Sequence, residues 1–149
     1  MSLPHSRWEH FSHPLGTGVR GFGRDLHESF DMAAHALMAL VLVDPKAIQN
    51  KQSIQIRCES MDLDLLFSDW LNTLIYEMSQ RKMVFGRFEI QVSGINITGV
   101  AWGEFFDPSR HQIKGPIQGA GFTELQVEEL PGEVRVQCVL NDPRHTLKL

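Results

Sequence analysis

The apolar residues of this sequence change their spacing along the chain, and that change constrains the fold more than any other feature. They recur every three or four positions from Leu26 to a stop near Asp44-Pro45, and again from Leu63 to Met78, which predicts two amphipathic helices. Between these segments, from 54 to 58, apolar and polar residues alternate, which predicts a half-buried strand. The chain is therefore expected to combine helices with a sheet.

Most of the remaining chain has the pattern of strands separated by glycine and proline. Two short strands, at 8–11 and 17–23, or one bent strand are expected near the start. Four more are expected after the second helix, at 84–92, 95–105, 121–127 and 134–140. Ser93-Gly94 and Pro131-Gly132 predict hairpins between consecutive strands of the second group. The simplest architecture is an α+β domain whose two amphipathic helices pack on one face of a largely antiparallel sheet.

The length of 149 residues favours one domain, and no linker divides the chain. Residues 1–7 are expected to form a leader that need not be ordered, 8–142 a single domain, and 143–149 a C-terminal extension. The first residues lack the basic and apolar regions of a secretory signal, and no apolar run reaches the roughly 18 residues of a membrane span. We therefore expect a cytoplasmic protein with no membrane partner.

Charge and cysteine content narrow the classes of function. Lys and Arg total 14 against 18 Asp and Glu, which gives a net charge of -4 and disfavours strong direct binding to nucleic acid. Cys58 and Cys138 occupy alternate positions of apolar runs, which favours reduced core residues over a disulfide. Phosphate-binding loops, paired-cysteine zinc motifs and nucleophile elbows are all missing from the sequence, so nucleotide hydrolysis and zinc chemistry have no motif to support them.

Histidines and carboxylates offer two kinds of candidate. His10, His13 and His111 could join a metal or acid–base cluster, although hydrogen-bonded loop histidines are the favoured interpretation. Asp62 precedes the second helix, where capping the helix is favoured over metal binding. Glu104 lies in a predicted strand, where its carboxylate either faces solvent or needs a buried partner.

Asn141 and Asp142 end the last predicted strand. Their clustered oxygens could hold a hard cation such as Ca²⁺ or Mg²⁺. A turn ahead of Pro143 is the favoured interpretation of the same residues.

Taken in order along the chain, several of these residues resemble the pattern of the archease family, from about Trp8 to Asp142. The matching residues are His13 and Gly18, the run from Gly23 to Phe30 with Ala33-Ala34, Asp62 ahead of the run from Leu66 to Asn72, Gly103-Glu104, and His111. The first helix and the Asp-Trp-Leu-Asn segment are the most specific parts of the match.

The resemblance implies an α+β accessory protein rather than an enzyme. Its expected partner is an RtcB-type RNA-splicing ligase, which joins RNA ends carrying a 2′,3′-cyclic or 3′-phosphate to a 5′-hydroxyl. The resemblance implies that the accessory protein promotes the ligase's guanylate intermediate and its multiple turnover, and that a divalent cation held by acidic residues contributes. A binding module or chaperone that kept the fold and lost ligase activation is the alternative. A metal-dependent hydrolase built on Asp62, Glu104, His13 and His111 is a third hypothesis, which requires those groups to converge.

The chain departs from the family pattern at chemically important positions. The family's His-Thr-Ala-Asp run is His13-Pro14-Leu15-Gly16 here, so a carboxylate is replaced by Gly16. A family aspartate at the end of the last strand falls on Asn141, with Asp142 adjacent, and a Lys-Ala-x-Thr run becomes Gln118 to Gly121. We therefore expect a cation site that is weakened or absent, or is rebuilt around Asp62 and Asp142 with Asn141.

Overall fold

The computed structural model describes residues 6–149, which form two α-helices and eight β-strands. In chain order these are β1 Arg7–His13, β2 Gly16–Gly23, α1 Leu26–Val41, β3 Gln52–Glu59, α2 Leu63–Arg81, β4 Met83–Ser93, β5 Asn96–Phe105, β6 Gly119–Ala120, β7 Gln126–Leu130 and β8 Glu133–Asp142. Two short 3-10 turns lie at Pro45–Ala47 and Pro143–His145.

The strands form two antiparallel sheets. The larger has the order β1-β2-β8-β6, with β7 also paired to β8, and the smaller has the order β3-β5-β4. The predicted α+β class with two helices is confirmed, but the strands form two sheets where we expected one. The reason is non-local: β2 pairs with β8 across most of the chain, whereas the β4–β5 hairpin pairs with β3.

Both helices begin at an aspartate. The Asp25 carboxylate accepts from the Glu28 backbone N–H at 2.9 Å, and that of Asp62 accepts from the Leu65 N–H at 2.8 Å. Helix α1 ends at Val41, before the predicted stop, because the chain becomes extended at Leu42 and bridges there to Ile113.

The helices and both sheets share one core. Each helix contacts strands of both sheets, and Trp70 of α2 is fully buried with its indole N–H donating to the Phe30 carbonyl of α1 at 3.1 Å. Cys58 and Cys138 are free and buried, as predicted, and burial raises the pKa of the Cys138 thiol to about 12.

The predicted strand at 121–127 is wrong in most of its length. Strands β6 and β7 lie on either side of a turn, which we call the 121–125 turn. Within it the Leu125 N–H donates to the Phe122 carbonyl at 3.3 Å, and Glu124 has a left-handed φ of 55°. That conformation interrupts a strand despite the apolar residues on both sides.

The two predicted terminal segments have different outcomes. Residues 1–5 of the predicted leader lie outside the described residues, while Arg7 belongs to β1 and pairs with Glu133 at 3.2 Å. The predicted extension at 143–149 packs along the domain, where the Leu147 N–H donates to the Ile117 carbonyl and the Lys148 N–H to the Ser79 hydroxyl. Neither helix within 6–149 is long and apolar enough to cross a membrane.

Candidate functional site

Three segments meet at one end of the larger sheet, and we call their residues the hairpin-end cluster: His13, Gly16, Gly121, Thr123, Glu124 and Asn141. The β1–β2 hairpin closes with His13 opposite Gly16. Strand β8 pairs with β2 so that Leu140 is opposite Thr17, which brings the next residue, Asn141, beside Gly16. The 121–125 turn joins the same end because the Val139 N–H donates to the Thr123 carbonyl at 3.0 Å.

Asn141 lies at the centre of this cluster. Its side-chain Nδ2 donates to the Thr123 hydroxyl at 2.9 Å. A Cβ atom built on Gly121 would lie 2.5 Å from the Asn141 Oδ1, and one built on Gly16 would lie 3.6 Å from the Asn141 Cβ. The two positions where the family resemblance implies carboxylates, Gly16 and Asn141, are therefore spatial neighbours, and both are uncharged.

A single carboxylate and one imidazole border the amide. The His13 Nε2 is 3.9 Å from the Glu124 Oε1, and the His13 Nδ1 accepts from the Leu15 N–H at 3.0 Å. That acceptor role of Nδ1 leaves the ring proton on Nε2, toward Glu124. Leu15 and Phe122, which flank the cluster in the chain, are 62% and 70% exposed. The cluster is thus a small polar surface with an apolar rim.

Asp62 and Asp142 have structural partners in different places. Asp62 caps the start of α2. Asp142 of β8 is paired with Gly119 of β6, and Gly119 lies against Asn72 of α2. Because Asn72 follows Asp62 by ten positions, about 15 Å of helix separates that contact from the cap. Within residues 6–149, no group of three His, Cys, Asp or Glu side chains is arranged to hold a metal ion.

The Asp142 carboxylate is already neutralised by a cation of the chain itself. The Arg144 guanidinium donates to it through Nη2 at 3.0 Å and through Nε at 3.1 Å, and the Arg144 backbone N–H donates at 2.9 Å. Hydrogen bonds from the Arg144 side chain and backbone hold the pKa of Asp142 below its usual value. The residues predicted to rebuild a cation site, Asp62 and Asp142 with Asn141, do not fit a bound divalent cation.

Glu104 and His111 do come together, but inside the protein. They are 5% and 3% exposed, and the His111 Nε2 is 3.0 Å from the Glu104 Oε2. The His111 Nδ1 accepts from the Asp107 N–H at 2.9 Å, so Nε2 carries the proton and donates to the carboxylate. The backbone N–H of Gln49 and the guanidinium of Arg110 also bind this carboxylate. The group therefore ties the end of β5 to two loops, one at Gln49 and one at 107–111.

The pKa of Glu104 reflects opposing effects. Burial by itself raises it, but hydrogen bonds from the Gln49 N–H and from His111, with the nearby Arg110 charge, lower the pKa below its usual value overall. The structure joins only Glu104 and His111 of the four residues in the hydrolase hypothesis, since His13 faces Glu124 and Asp62 caps a helix. That arrangement does not supply a converging acid, base and metal site.

Other histidine and turn residues have simpler outcomes. His10 is a hydrogen-bonded histidine, as predicted, since its Nε2 is 2.8 Å from the Ala36 carbonyl oxygen. It lies in β1 rather than in a loop. Thr123 and Glu124 of the hairpin-end cluster were not predicted. The available signal was Gly121 in an expected strand, because a glycine there can mark an irregularity or a close approach of another group.

Comparisons with a family model and with individual proteins identify the same family. Residues 8–141 match the model of the "Archease protein family (MTH1598/TM1083)". The archease of Pyrococcus furiosus is 33% identical over 129 residues, which span 84% of this chain and 90% of that protein. The archease of Sulfurisphaera tokodaii is 30% identical over 124 residues, spanning 82% and 88% of the two chains.

Solved structures agree on the fold. The solution structure of protein 1598 of Methanobacterium thermoautotrophicum has a TM-score of 0.78 at 22% identity, covering 90% of this chain and 97% of that one. A Thermotoga maritima crystal structure described as an archease and possible chaperone has a TM-score of 0.58 at 15% identity, covering 95% and 97%. At such identities the likeness shows a shared fold.

Proposed function

Since the chain belongs to the archease family, we propose that it is a cytoplasmic, non-catalytic accessory protein that activates an RNA-splicing ligase. The hairpin-end cluster with its apolar rim is the observation that carries this proposal, and we propose that the ligase binds there. The family match covers residues 8–141 and so includes every residue of the hairpin-end cluster and its rim.

The surface has the composition of a protein-binding patch. Leu15 and Phe122 are large apolar side chains left mostly exposed at one end of the sheet, beside the polar pair His13 and Glu124. Protein interfaces typically combine a few large apolar anchor residues with neighbouring polar groups. The net charge of -4 supplies no general attraction for an RNA backbone, so a protein partner fits this surface better than RNA does.

Activation without catalysis is a matter of differential binding. An accessory protein that binds the guanylylation-competent state of a ligase more tightly than the inactive state raises the population of the competent state. A tenfold preference corresponds to about 1.4 kcal/mol, which one or two apolar anchors can supply. The buried pair Glu104 and His111 supports a structural rather than a chemical role, because neither group can reach a substrate.

The test is multiple-turnover RNA joining by the ligase of the same organism, with and without this protein. We expect the protein to raise turnover, and the double variant Leu15→Ser/Phe122→Ser to lose most of that stimulation. The matched control is Met61→Ser/Leu130→Ser, which makes the same change at two exposed apolar residues elsewhere. Absence of stimulation by the unaltered protein would refute the proposal, and equal losses in both double variants would refute the assigned surface.

A binding module or chaperone that no longer activates a ligase is the second candidate. The observation that favours it is the missing carboxylate at both Gly16 and Asn141, and the Thermotoga relative is itself described as a possible chaperone. Co-purification from the source organism discriminates the two. Recovery of another protein through the Leu15 and Phe122 surface, with no ligase, would select this second function.

A further inference from the structure

We infer that this chain has replaced the expected cation at the hairpin-end cluster with a hydrogen bond, so that Asn141 and Thr123 join β8 to the 121–125 turn without a metal ion. The Asn141 Nδ2 donates to the Thr123 hydroxyl at 2.9 Å, linking the end of β8 to the turn. Carboxylates at positions 16 and 141 would place an ion at this same end of β8, beside the β1–β2 hairpin. The inference concerns the isolated chain and does not depend on which partner it serves.

The charge of the cluster argues against a cation. Hard divalent ions take about six to eight oxygen ligands and rely on several carboxylates for affinity. Here Glu124 is the one carboxylate of the cluster, and its side chain is 52% exposed beside His13. Asn141 directs its amide N–H toward Thr123, so its Oδ1, which faces Gly121, is the single oxygen that this side chain could offer to a cation, and it carries no charge.

The backbone conformation and the close packing at Gly16 and Gly121 also disfavour longer side chains at these positions. Gly16 has a φ of +154°, which disfavours any side chain, and a Cβ there would lie 3.1 Å from the Leu140 carbonyl oxygen. A Cβ on Gly121 would lie 2.5 Å from the Asn141 Oδ1. The asparagine amide therefore occupies space that a longer residue at 121 would need. The two glycines and the amide fit each other as a set.

The neighbouring acidic residue does not compensate. Asp142 follows Asn141, but the Arg144 guanidinium binds both of its carboxylate oxygens. An incoming cation would have to displace that guanidinium, or lie beside it and be repelled. The negative charge nearest to the cluster along β8 is thus already paired within the chain.

The first test is thermal unfolding of the full chain in EDTA and in about 10 mM Ca²⁺, Mg²⁺ or Mn²⁺. We expect midpoints within about 1 °C of each other, because a site with a Kd near 100 μM would raise the midpoint by several degrees at that concentration. Titration calorimetry with each cation should show no saturable heat. A cation-dependent rise of several degrees that EDTA reverses, or a saturable titration, would overturn the inference.

The second test measures the hydrogen bond itself by a double-mutant cycle on Asn141→Ala and Thr123→Ala. We expect each single change to lower the midpoint, and the double variant to lower it by clearly less than the sum of the two. Asn96→Ala combined with Thr123→Ala is the control pair, because Asn96 lies on the other sheet, and its effects should add. Additive effects of Asn141→Ala and Thr123→Ala would show no coupling and would overturn the cross-link.

Discussion

The Glu104 carboxylate shows how a residue that matches a functional pattern can serve the fold instead. Sequence alone identified Glu104 and His111 as family-matched polar residues, and it allowed that Glu104 needs a buried partner. It could not show that the loop after β5 folds back and makes His111 that partner. The hydrogen bonds from Gln49 and Asp107 come from backbone N–H groups, which leave no sequence pattern.

Replacing Glu104 by Gln tests this structural role. The pKa of Glu104 is lowered in the folded state, so its charge stabilises the fold above the usual carboxyl pKa of about 4.3, and that contribution is lost as pH falls through the lower folded pKa. We expect Glu104→Gln to cost about 1–3 kcal/mol near neutral pH, and the difference from the unaltered protein to shrink below about pH 4. Urea unfolding from pH 3 to 7 measures both effects.

The control for this series is Glu89→Gln, since Glu89 is exposed on β4. It should change the unfolding free energy by a few tenths of a kcal/mol at most. A difference between Glu104→Gln and the unaltered protein that stayed constant down to pH 3 would mean that the carboxylate charge is not what stabilises the loops.

Asp62 offers a second residue-level prediction, because the sequence allows it to be either a helix cap or a metal ligand. Its carboxylate accepts from the Leu65 N–H, so Asp62→Ala should cost about 1 kcal/mol. Asp62→Asn retains a capping oxygen and removes the charge, and we expect it to keep most of the stability in the presence or absence of divalent cations. Equal destabilisation by Ala and Asn would instead assign the effect to the charge.

Elements with a continuous apolar stripe were predictable, and elements defined by distant partners were not. Helices α1 and α2 follow from their spacing because each buries one face along its whole length. Strand β6 has two residues, and its pairing is with β8, about twenty positions later. The sequence around Gly121 contains apolar residues suited to a strand, and only the pairing with β8 determines that the chain turns there.

The segment after β8 gives a prediction at the same scale. Leu147 and Leu149 pack against the core, and backbone groups of 147 and 148 bind Ile117 and Ser79. A chain shortened to end at His145 should lose about 1–3 kcal/mol of stability, chiefly because apolar area becomes exposed. Lys148→Ala is the control, since the hydrogen bonds of Lys148 come from its backbone atoms. An unchanged urea midpoint in the shortened chain would show that this packing contributes nothing.

At the scale of the whole molecule, one core links two sheets that pair separately. Buried residues from both helices and both sheets form a single cluster, so neither sheet has a core of its own. The sequence predicted the α+β class because periodicity reports which faces are buried. It could not report how many sheets those faces belong to, since that depends on pairings between distant strands.

This shared core predicts cooperative unfolding. Scanning calorimetry should give one transition with equal calorimetric and van't Hoff enthalpies, of about 100 kcal/mol near 60 °C for a chain of 149 residues. Two resolved transitions, or a van't Hoff value well below the calorimetric one, would mean that the sheets unfold separately. The cavity variant Trp70→Ala should lower the single midpoint without splitting it, because Trp70 joins the two helices at the centre of the core.

The charge of the whole molecule leads to a prediction about RNA. Arginine lies over an aromatic ring at three places within 6–149, and one of these pairs, Arg87 over the Trp102 ring at 4.4 Å, is on the outer face of the smaller sheet. Glu89 lies two positions after Arg87 on the same face of β4 and adds a negative charge there, and the net charge of the protein is -4. We expect labelled single-stranded RNA to show no binding tighter than about 100 μM in anisotropy titrations at about 150 mM salt, because few phosphate contacts are available to release counterions.

Two further measurements test this expectation: the salt dependence of any RNA binding, and RNA binding by a variant of the outer face of the smaller sheet. Lowering the salt to about 20 mM should strengthen any weak binding only slightly, since the salt dependence scales with the number of phosphate contacts. Micromolar binding with a steep salt dependence would contradict the protein-partner argument. If Arg87→Ala/Trp102→Ala then abolished that binding, RNA would be assigned to the outer face of the smaller sheet and separated from the hairpin-end cluster. Absence of RNA binding would support the proposal that the surface around Leu15 and Phe122 binds a protein partner.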